Sequence, residues 1–249
     1  MVFPQATIVI TGSGGIGTSI ARRIANGQRI FLSDVSQVNL DGAAEALRRD
    51  GHTVEAHLVD VSKYDQVKAF ADTAAASVDL LGTANVLDAF YEVAMPGQSI
   101  VCVGSGSAHV MKEEVPLEVL DHLAPRDALL SHPAIQATVN PLLAYQIAKR
   151  GSLARVQLMA KAFGLKGAQI NIISPGMIAT ERGRLELEGD MLRAYIEMLT
   201  KESAMDRLGT VDDVSNLVEF LVSDRASFIS GADIVVDGGV AAAQRWKRE

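Results

Sequence analysis

Short apolar runs alternate with amphipathic stretches through the first third of the chain. Thr7-Ile8-Val9-Ile10 is a β-branched run that stops at a glycine cluster, Gly12, Gly14, Gly15 and Gly17, which predicts a strand and a tight turn. Ile16, Ile20 and Ile24 then recur at helical spacing, and Gly27 supplies a stop. Arg29-Ile30-Phe31-Leu32 predicts a second strand ending at Ser33-Asp34. Residues 37–49 follow as a helix with Leu40, Ala44 and Leu47 on one face, closed by Gly51. A third strand is expected over 53–61 and a third helix over 63–76. There the rhythm breaks. Residues 79–94 read as another helix, with Leu80, Leu87 and Phe90 available for burial, yet no strand separates it from the helix before. A strand over 99–103 comes next, then a mixed segment over 110–140 with prolines at 116, 125 and 133, expected as a helix and a loop. The pattern closes with a long amphipathic helix over 142–163, a strand over 169–173 ending in Ser174-Pro175-Gly176, a charged helix over 183–203 and a helix over 211–221. A last strand over 233–236 is closed by Gly238-Gly239.

Strands alternating with helices of this length build βαβ units, hence a parallel sheet with right-handed crossovers and helices on both faces. The expected fold is α/β, a doubly wound, Rossmann-like sheet in three α/β/α layers, with residues 1–249 as one domain. No internal repeat, low-complexity tract or interdomain linker interrupts it. Such folds hold ligands beyond the carboxyl ends of their strands, and the residues of chemical interest cluster there.

Composition narrows the function. The formal charge is −7 and the pI near 5.3, which argues against a nucleic acid or an anionic membrane as partner. Cys102 is the single cysteine and lies in an apolar run, so no intrachain disulfide forms and a reducing cytoplasm suits it. Met1 to Gln5 lacks a cationic and apolar leader pattern, and no apolar stretch approaches the ~18–20 residues needed to cross a bilayer. The histidines show no metal-ligand spacing. His109, His122 and His132 read as surface or lid residues, and no metal is expected.

The cofactor reading starts at the glycine cluster. Gly12-Ser13-Gly14-Gly15-Ile16-Gly17 satisfies G-x-G-x-x-G between a strand and a helix. There glycines allow a tight turn and close approach of a pyrophosphate to a helix N-terminus. Asp34 ends the second strand, where a carboxylate accepts hydrogen bonds from both hydroxyls of an adenosine ribose. It would repel a 2′-phosphate, and Val35 and Ser36 supply no compensating cation, so NAD is expected rather than NADP. Asp60 ends the third strand beside Val61. Two readings of it stay open: a hydrogen bond to an adenine amino group, or capping of the next helix with Ser62.

Tyr145 and Lys149 lie four apart on a helix and share a face. An ammonium beside the phenol stabilises the tyrosinate that proton transfer creates. Ser105 ends the preceding strand and can hold a substrate oxygen by hydrogen bonding. Ser107 competes for that role, and a plain serine-glycine turn is the alternative for both.

With those residues in place the chain resembles the short-chain dehydrogenase/reductase family from end to end. The resemblance is carried by TGSGGIG at 11–17, Asp34, Asp60-Val61, the Ser105 strand, YQIAK at 145–149, the run Asn171 to Gly176 with Thr180, and the tail RLGTVDDVSNLVEFLVSDRASFISGADIVVDGG at 207–239. It implies that Tyr145 is the general acid/base, Lys149 binds the nicotinamide ribose, and Ser105 orients the substrate oxygen. It further implies that Pro175, Gly176, Ile178 and Thr180 lie along the nicotinamide and pyrophosphate end of NAD. Residues 181–205 would form a substrate lid, and the protein would be a homodimer or homotetramer. Within the family, the long Ser–Tyr spacing is similar to that of bacterial 3α-hydroxysteroid dehydrogenase/carbonyl reductases. The implied substrate is a small-molecule alcohol or ketone with a hydrophobic, steroid-like or other cyclic skeleton. Leu185, Leu187, Met191, Leu192, Tyr195 and Met198 would line the lid, with ordinary amphipathic helix packing as the alternative.

Three departures qualify the resemblance. The glycine loop is one residue shorter than the family's usual TGxxxGxG. Asp79 stands where the family carries a catalytic asparagine. The fourth strand with its Asn-Asn-Ala-Gly-like motif is absent, so roughly 20–30 residues, about one βα unit, are expected to be missing between about Ala75 and Val78. A binding protein that uses NAD as a structural or sensory ligand without turnover is the competing reading. The retained Ser105, Tyr145 and Lys149 weigh against it.

Overall fold

The computed structural model describes residues 7–66, 79–110, 141–180 and 190–246. They fall into two compact units, Met1–Ala94 and Met95–Glu249, and both are Rossmann-like parallel α/β structures.

In the first unit β1 (Thr7–Thr11), α1 (Gly15–Ile24), β2 (Arg29–Asp34), α2 (Gln37–Arg49), β3 (Thr53–Leu58) and α3 (Asp79–Glu92) follow in chain order. The strands pair in parallel as β1-β2-β3, with Ile10 beside Leu32 and Leu32 beside Ala56. Central β2 is apolar on both faces because both are covered. Ile30 and Leu32 are fully buried on one face, while Phe31 on the other packs with Val59, Val61, Ala89 and Phe90. Leu40, Ala44 and Leu47 form the buried stripe of α2 expected from the spacing. Ser36 caps that helix by accepting a hydrogen bond from the Asn39 amide. β3 stops at Leu58, three residues earlier than expected, because Asp60 to Ser62 turn to meet the next element.

The second unit comprises β4 (Ser99–Val103), a 3-10 turn (Gly106–His109), α4 (Pro141–Leu165), β5 (Gln169–Pro175), α5 (Asp190–Glu202), α6 (Val211–Leu221), β6 (Asp233–Val236) and α7 (Val240–Arg245). Its sheet is parallel in the order β4-β5-β6. β5 is the central strand and is buried from Ile170 to Pro175. α6 starts with a capping box in which Thr210 and Asp213 satisfy each other's amides. Arg207 then grips the Asp213 carboxylate through two nitrogens at 2.7 and 3.0 Å. This accounts for the RLGTVDD run in terms of local geometry.

Among the described residues no strand pairs with the outer edge of β1 or of β4. Among the described residues each sheet thus holds three strands, and none of them is the expected fourth central strand. The junction at 67–78 lies outside the described residues, as do most of the segment 110–140, His122, His132, Leu185 and Leu187.

Candidate active site

The dinucleotide loop is built by backbone constraint. Gly12 sits at φ +86°, a left-handed conformation that glycine adopts freely. A Cβ on Gly17 would lie 1.9 Å from the Gly12 carbonyl oxygen, so only glycine lets the loop close on the start of α1. Gly14 is the N-cap of α1 and contributes no side-chain acceptor, and no acidic residue lies in the first turn at Gly15, Ile16 and Gly17. The N-terminal amides of a ten-residue helix thus face outward with its positive dipole end, the chemistry that receives a pyrophosphate.

Asp34 is drawn into this loop more tightly than its sequence position implies. Its Oδ2 accepts from the Ser13 amide and hydroxyl at 2.8 and 2.9 Å, and its Oδ1 from the Ser36 amide at 2.8 Å. Ser13 itself is 5% exposed. The carboxylate therefore both shapes the loop and offers its remaining lone pair to a ligand.

Beyond β2 and β3 a cavity of about 730 Å³ opens, lined by Val35, His57, Leu58, Asp60, Lys63 and Gln66. Asp60 stands on its wall with its carboxylate already engaged. Ser62 donates to Oδ1 through its hydroxyl at 2.7 Å and its amide at 3.1 Å, and the Lys63 ammonium lies 2.5 Å from Oδ2. Hydrogen bonding from Lys63, then from Ser62, lowers its carboxyl to about 2. These contacts close a turn over Asp60 to Lys63 and leave both readings of Asp60 open. Val61 is buried, and its carbonyl accepts a 2.8 Å hydrogen bond from the buried Asn85 amide on α3. Asn85 escaped the sequence reading. Its only signal was a polar residue inside the apolar face of a helix.

In the second unit the chemical residues gather on α4 and the ends of β4 and β5. Lys149 Nζ lies 5.5 Å from the centre of the Tyr145 ring, one helical turn away, and Tyr145 is 41% exposed. Ser105 is the extended N-cap of the 3-10 turn, and its hydroxyl oxygen accepts from the Ser107 amide at 3.2 Å. That contact uses a lone pair and leaves the hydroxyl proton free to donate. Ser107 contributes its backbone amide to that contact. The 3-10 turn packs on both α4 and β5. Lys149 also acts on Cys102: burial pushes the thiol up to about 12 against the pull of that ammonium.

Pro175 ends β5, and the Gly176 amide bonds to Val236 at 3.0 Å. A Cβ on Gly176 would come within 2.8 Å of Asp237, which explains the glycine. Ile178 bridges to Gly209, and the Thr180 amide turns back to the Ile178 carbonyl at 2.9 Å. In the expected lid, Ile196 and Leu199 are buried and α5 packs against α7, while Met198 is 43% exposed. The side chains of Met191, Leu192, Tyr195 and Asp79 lie outside the described set.

His109 corrects an expectation. Instead of lying at the surface or in a lid, it is 11% exposed with Nε2 2.8 Å from Asp233 Oδ2. Among the described residues no helix is long and apolar enough to cross a membrane, and no acidic, histidine or cysteine cluster could hold a metal.

Residues 5–111 match the family model described as short chain dehydrogenase, and residues 128–241 the model described as Enoyl-(Acyl carrier protein) reductase. Short-chain dehydrogenase/reductase bsc3 of Alternaria brassicicola is 32% identical over 266 aligned positions, covering 96% of each chain. That alignment is longer than the 249 residues of this chain, so the relative carries residues with no counterpart here. A short-chain type dehydrogenase/reductase from Mycobacterium ulcerans shares the fold with a TM-score of 0.75 at 22% identity, covering 97% of this chain and 92% of its own. So do an NAD+-bound xylitol dehydrogenase (TM-score 0.73, 19% identity, coverage 96% and 100%) and an NADPH-bound oxidoreductase from Pseudomonas aeruginosa PAO1 (TM-score 0.67, 22% identity, coverage 94% and 96%). The chain belongs to the short-chain dehydrogenase/reductase family and is an oxidoreductase.

Proposed function

We propose that the protein interconverts a secondary alcohol and a ketone with NAD as hydride carrier, using Tyr145, Lys149 and Ser105. The observation that carries this reading is the α4 arrangement: Lys149 stands 5.5 Å over the Tyr145 ring, and the Ser105 turn packs on the same helix. The cofactor, when bound, takes up or delivers the hydride at its nicotinamide ring.

The chain's own residues handle the proton and the oxygen. In the oxidative direction the Tyr145 oxygen accepts the proton of the substrate hydroxyl, while the carbinol carbon loses its hydride. In the reductive direction Tyr145 returns that proton to the nascent alkoxide. The Lys149 ammonium stabilises the tyrosinate form in both directions. The Ser105 hydroxyl, its proton left free by the Ser107 amide contact, donates to the substrate oxygen and shares its developing charge.

For the cofactor we assign Gly12, Ser13, Gly15, Ile16 and Gly17 to the pyrophosphate, Asp34 to the adenosine ribose, and Asp60 and Val61 to the adenine side. Tyr145, Lys149, Pro175, Gly176, Ile178 and Thr180 belong to the nicotinamide end. NAD is chosen over NADP because the carboxylate of Asp34 meets no cation at Val35 or Ser36. Residues 1–249 then act as one NAD-binding domain.

The substrate assigned is apolar, steroid-like or otherwise cyclic. Exposed Met198 and Met205 (43% and 61%) belong to the C-terminal half of the assigned lid and suit such a skeleton. Exposed Phe228 and Trp246 are apolar surface suited to a homodimer or homotetramer, and the unpaired Cys102 suits the cytoplasm.

The deciding experiment pairs turnover with binding. Tyr145→Phe removes the proton carrier and keeps the ring, so NADH-dependent reduction of cyclic ketones should fall at least a hundredfold with NADH affinity unchanged. Turnover within threefold of wild type would overturn the role of Tyr145. Tight NADH binding by wild type without turnover of any alcohol or ketone, polyols included, would favour the non-catalytic NAD-binding reading.

A further inference from the structure

One peptide group joins the turn after β3 to α3. The side-chain amide of Asn85, 2% exposed on α3, donates to the Val61 carbonyl at 2.8 Å. The N–H on the other side of that same peptide unit belongs to Ser62, and it donates to Asp60 Oδ1 at 3.1 Å. A trans peptide is planar, so its C=O and N–H point in opposite directions, and no cis bond occurs among the described residues. Holding the carbonyl against α3 therefore aims the N–H at the Asp60 carboxylate.

The other backbone bonds of the turn do not settle that direction. The Asp60 amide donates to Gln66 Oε1 at 3.0 Å, and the Asp60 carbonyl accepts from the Lys63 amide at 3.0 Å. These fix residue 60 and the closure to residue 63, while the central peptide of a four-residue turn can rotate with its closing bond intact. Val61 is buried among Phe31, Val59 and Ala89, whereas Ser62 is exposed. With Asn85 as donor the carbonyl stays inward. Without it a buried carbonyl lacks a partner, and rotation outward to water relieves that cost. The same rotation takes the Ser62 N–H off Asp60.

We propose that Asn85 is a positioning residue for the Asp60 carboxylate on the cavity wall, and through it for the adenine end of the dinucleotide. The proposal rests on the reading that assigns Asp60 to adenine. A carboxylate held by a backbone donor meets an amino group in one orientation. One held only by the Ser62 hydroxyl and the Lys63 ammonium turns with those side chains, and that lost preorganisation weakens binding.

The test measures how the full chain binds the two halves of the cofactor. AMP, followed by calorimetry, stands for the adenine half, and reduced nicotinamide mononucleotide, followed by fluorescence, for the other. Asn85→Leu, close in size and without a donor, should raise Kd for AMP and for NADH about tenfold, the worth of roughly one hydrogen bond. Kd for the mononucleotide should stay within about twofold. Asp60→Ala should weaken AMP by at least as much, and Asn85→Leu added to it should cost AMP nothing further. Equal losses for AMP and the mononucleotide, or additive losses in the double variant, would mean a general loosening and overturn the proposal. If Asn85→Leu does not fold, Asn85→Ser, whose hydroxyl is too short to reach the carbonyl, carries the same expectations.

The two readings fail separately. Wild-type AMP affinity in Asn85→Leu beside a weakened Asp60→Ala removes only the positioning role. Wild-type AMP affinity in Asp60→Ala leaves Asp60 as a capping residue alone, and the positioning role goes with it. Hydrogen exchange at the Ser62 amide, followed by NMR without any ligand, is a readout independent of the cofactor. It should quicken at least about tenfold in Asn85→Leu and Asn85→Ser, and unchanged exchange there refutes the link between Asn85 and the turn.

Discussion

Replacing Asp34 by alanine should reverse the cofactor preference, and the size of the reversal follows from the carboxylate's surroundings. Asp34 accepts three hydrogen bonds from Ser13 and Ser36, and a carboxylate offers about four lone-pair sites. One site therefore stays open for a ribose hydroxyl, and a second opens when the Ser13 hydroxyl rotates away. Each hydrogen bond to a charged acceptor contributes about 1.5–3 kcal/mol. Loss of both costs NADH at least about 3 kcal/mol, or roughly a hundredfold in Kd. For NADPH the sign is opposite. A carboxylate and a doubly charged 2′-phosphate about 5 Å apart repel by about 2 kcal/mol at the dielectric of water, and more in a partly closed groove. Removing the carboxylate lifts that repulsion, so the two effects together, about 5 kcal/mol, should raise the NADPH-to-NADH affinity ratio several thousandfold. Parallel titrations following NADH and NADPH fluorescence measure both constants. A melting curve on the variant separates cofactor effects from loosening of the loop, whose Ser13 and Ser36 amides lose their acceptor. Ser13→Ala is the informative companion: it removes the hydroxyl 2.9 Å from Asp34 Oδ2 and keeps the carboxylate, so the NADPH-to-NADH ratio should stay near that of wild type. Equal binding of the two cofactors by wild type, with a ratio unmoved in Asp34→Ala, would refute the assignment.

Two further perturbations test the loop and the acid limb of stability. Gly17→Ala places a methyl 1.9 Å from the Gly12 carbonyl oxygen. It should destabilise the chain by about 1–3 kcal/mol in urea unfolding and weaken NADH binding at least tenfold, and native affinity would show that the loop is not the pyrophosphate site. Asp213 is held well below the ordinary carboxyl range of 3.8 by the Arg207 guanidinium and by Thr210, and Asp60 is lowered to about 2. Because both folded values lie below the unfolded ones, their contribution is fully present above about pH 4 and drains away as pH falls toward 2. Melting temperature should drop across that window, and Asp213→Asn should flatten the slope. An identical acid limb in the variant would sink the linkage.

Much of this was legible because it is local. The strands are continuous apolar runs, α2 declares its buried face through Leu40, Ala44 and Leu47, and the glycine loop must be read as a unit because Gly12 and Gly17 touch. Tyr145 and Lys149 needed only a helix to bring them together. Contacts made across long stretches of chain were illegible. Ser174 and Asp233 stand 59 residues apart and carry no spacing that announces a pair. His109 offered only an isolated imidazole until the turn delivered it to β6. Asn85 and the Val61 carbonyl belong to elements whose mutual packing no periodicity encodes. Asp34 shows the intermediate case: its place at a strand end pointed to a ribose, while its grip on Ser13 depended on the exact path of the loop.

The strand that neither sheet holds among the described residues was legible for a different reason, since a parallel α/β chain ordinarily places a strand between consecutive helices. The strands bear the mark of that omission. Parallel strands are ordinarily buried on both faces and paired on both edges, as β2 and β5 are here. β1 and β4 are as apolar in sequence as their neighbours, yet four of the five residues of β4 are only half-buried and Val103 is 42% exposed. In β1 only Ile10 is buried. An apolar strand with an unpaired edge is the feature that natural sheets usually blunt with charge, proline or a covering loop, and neither TIVIT nor SIVCV contains any such device. Both sequences are suited to lying beside a further strand. Among the described residues, edge composition and sheet pairing thus point to the same element, each through a different physical route.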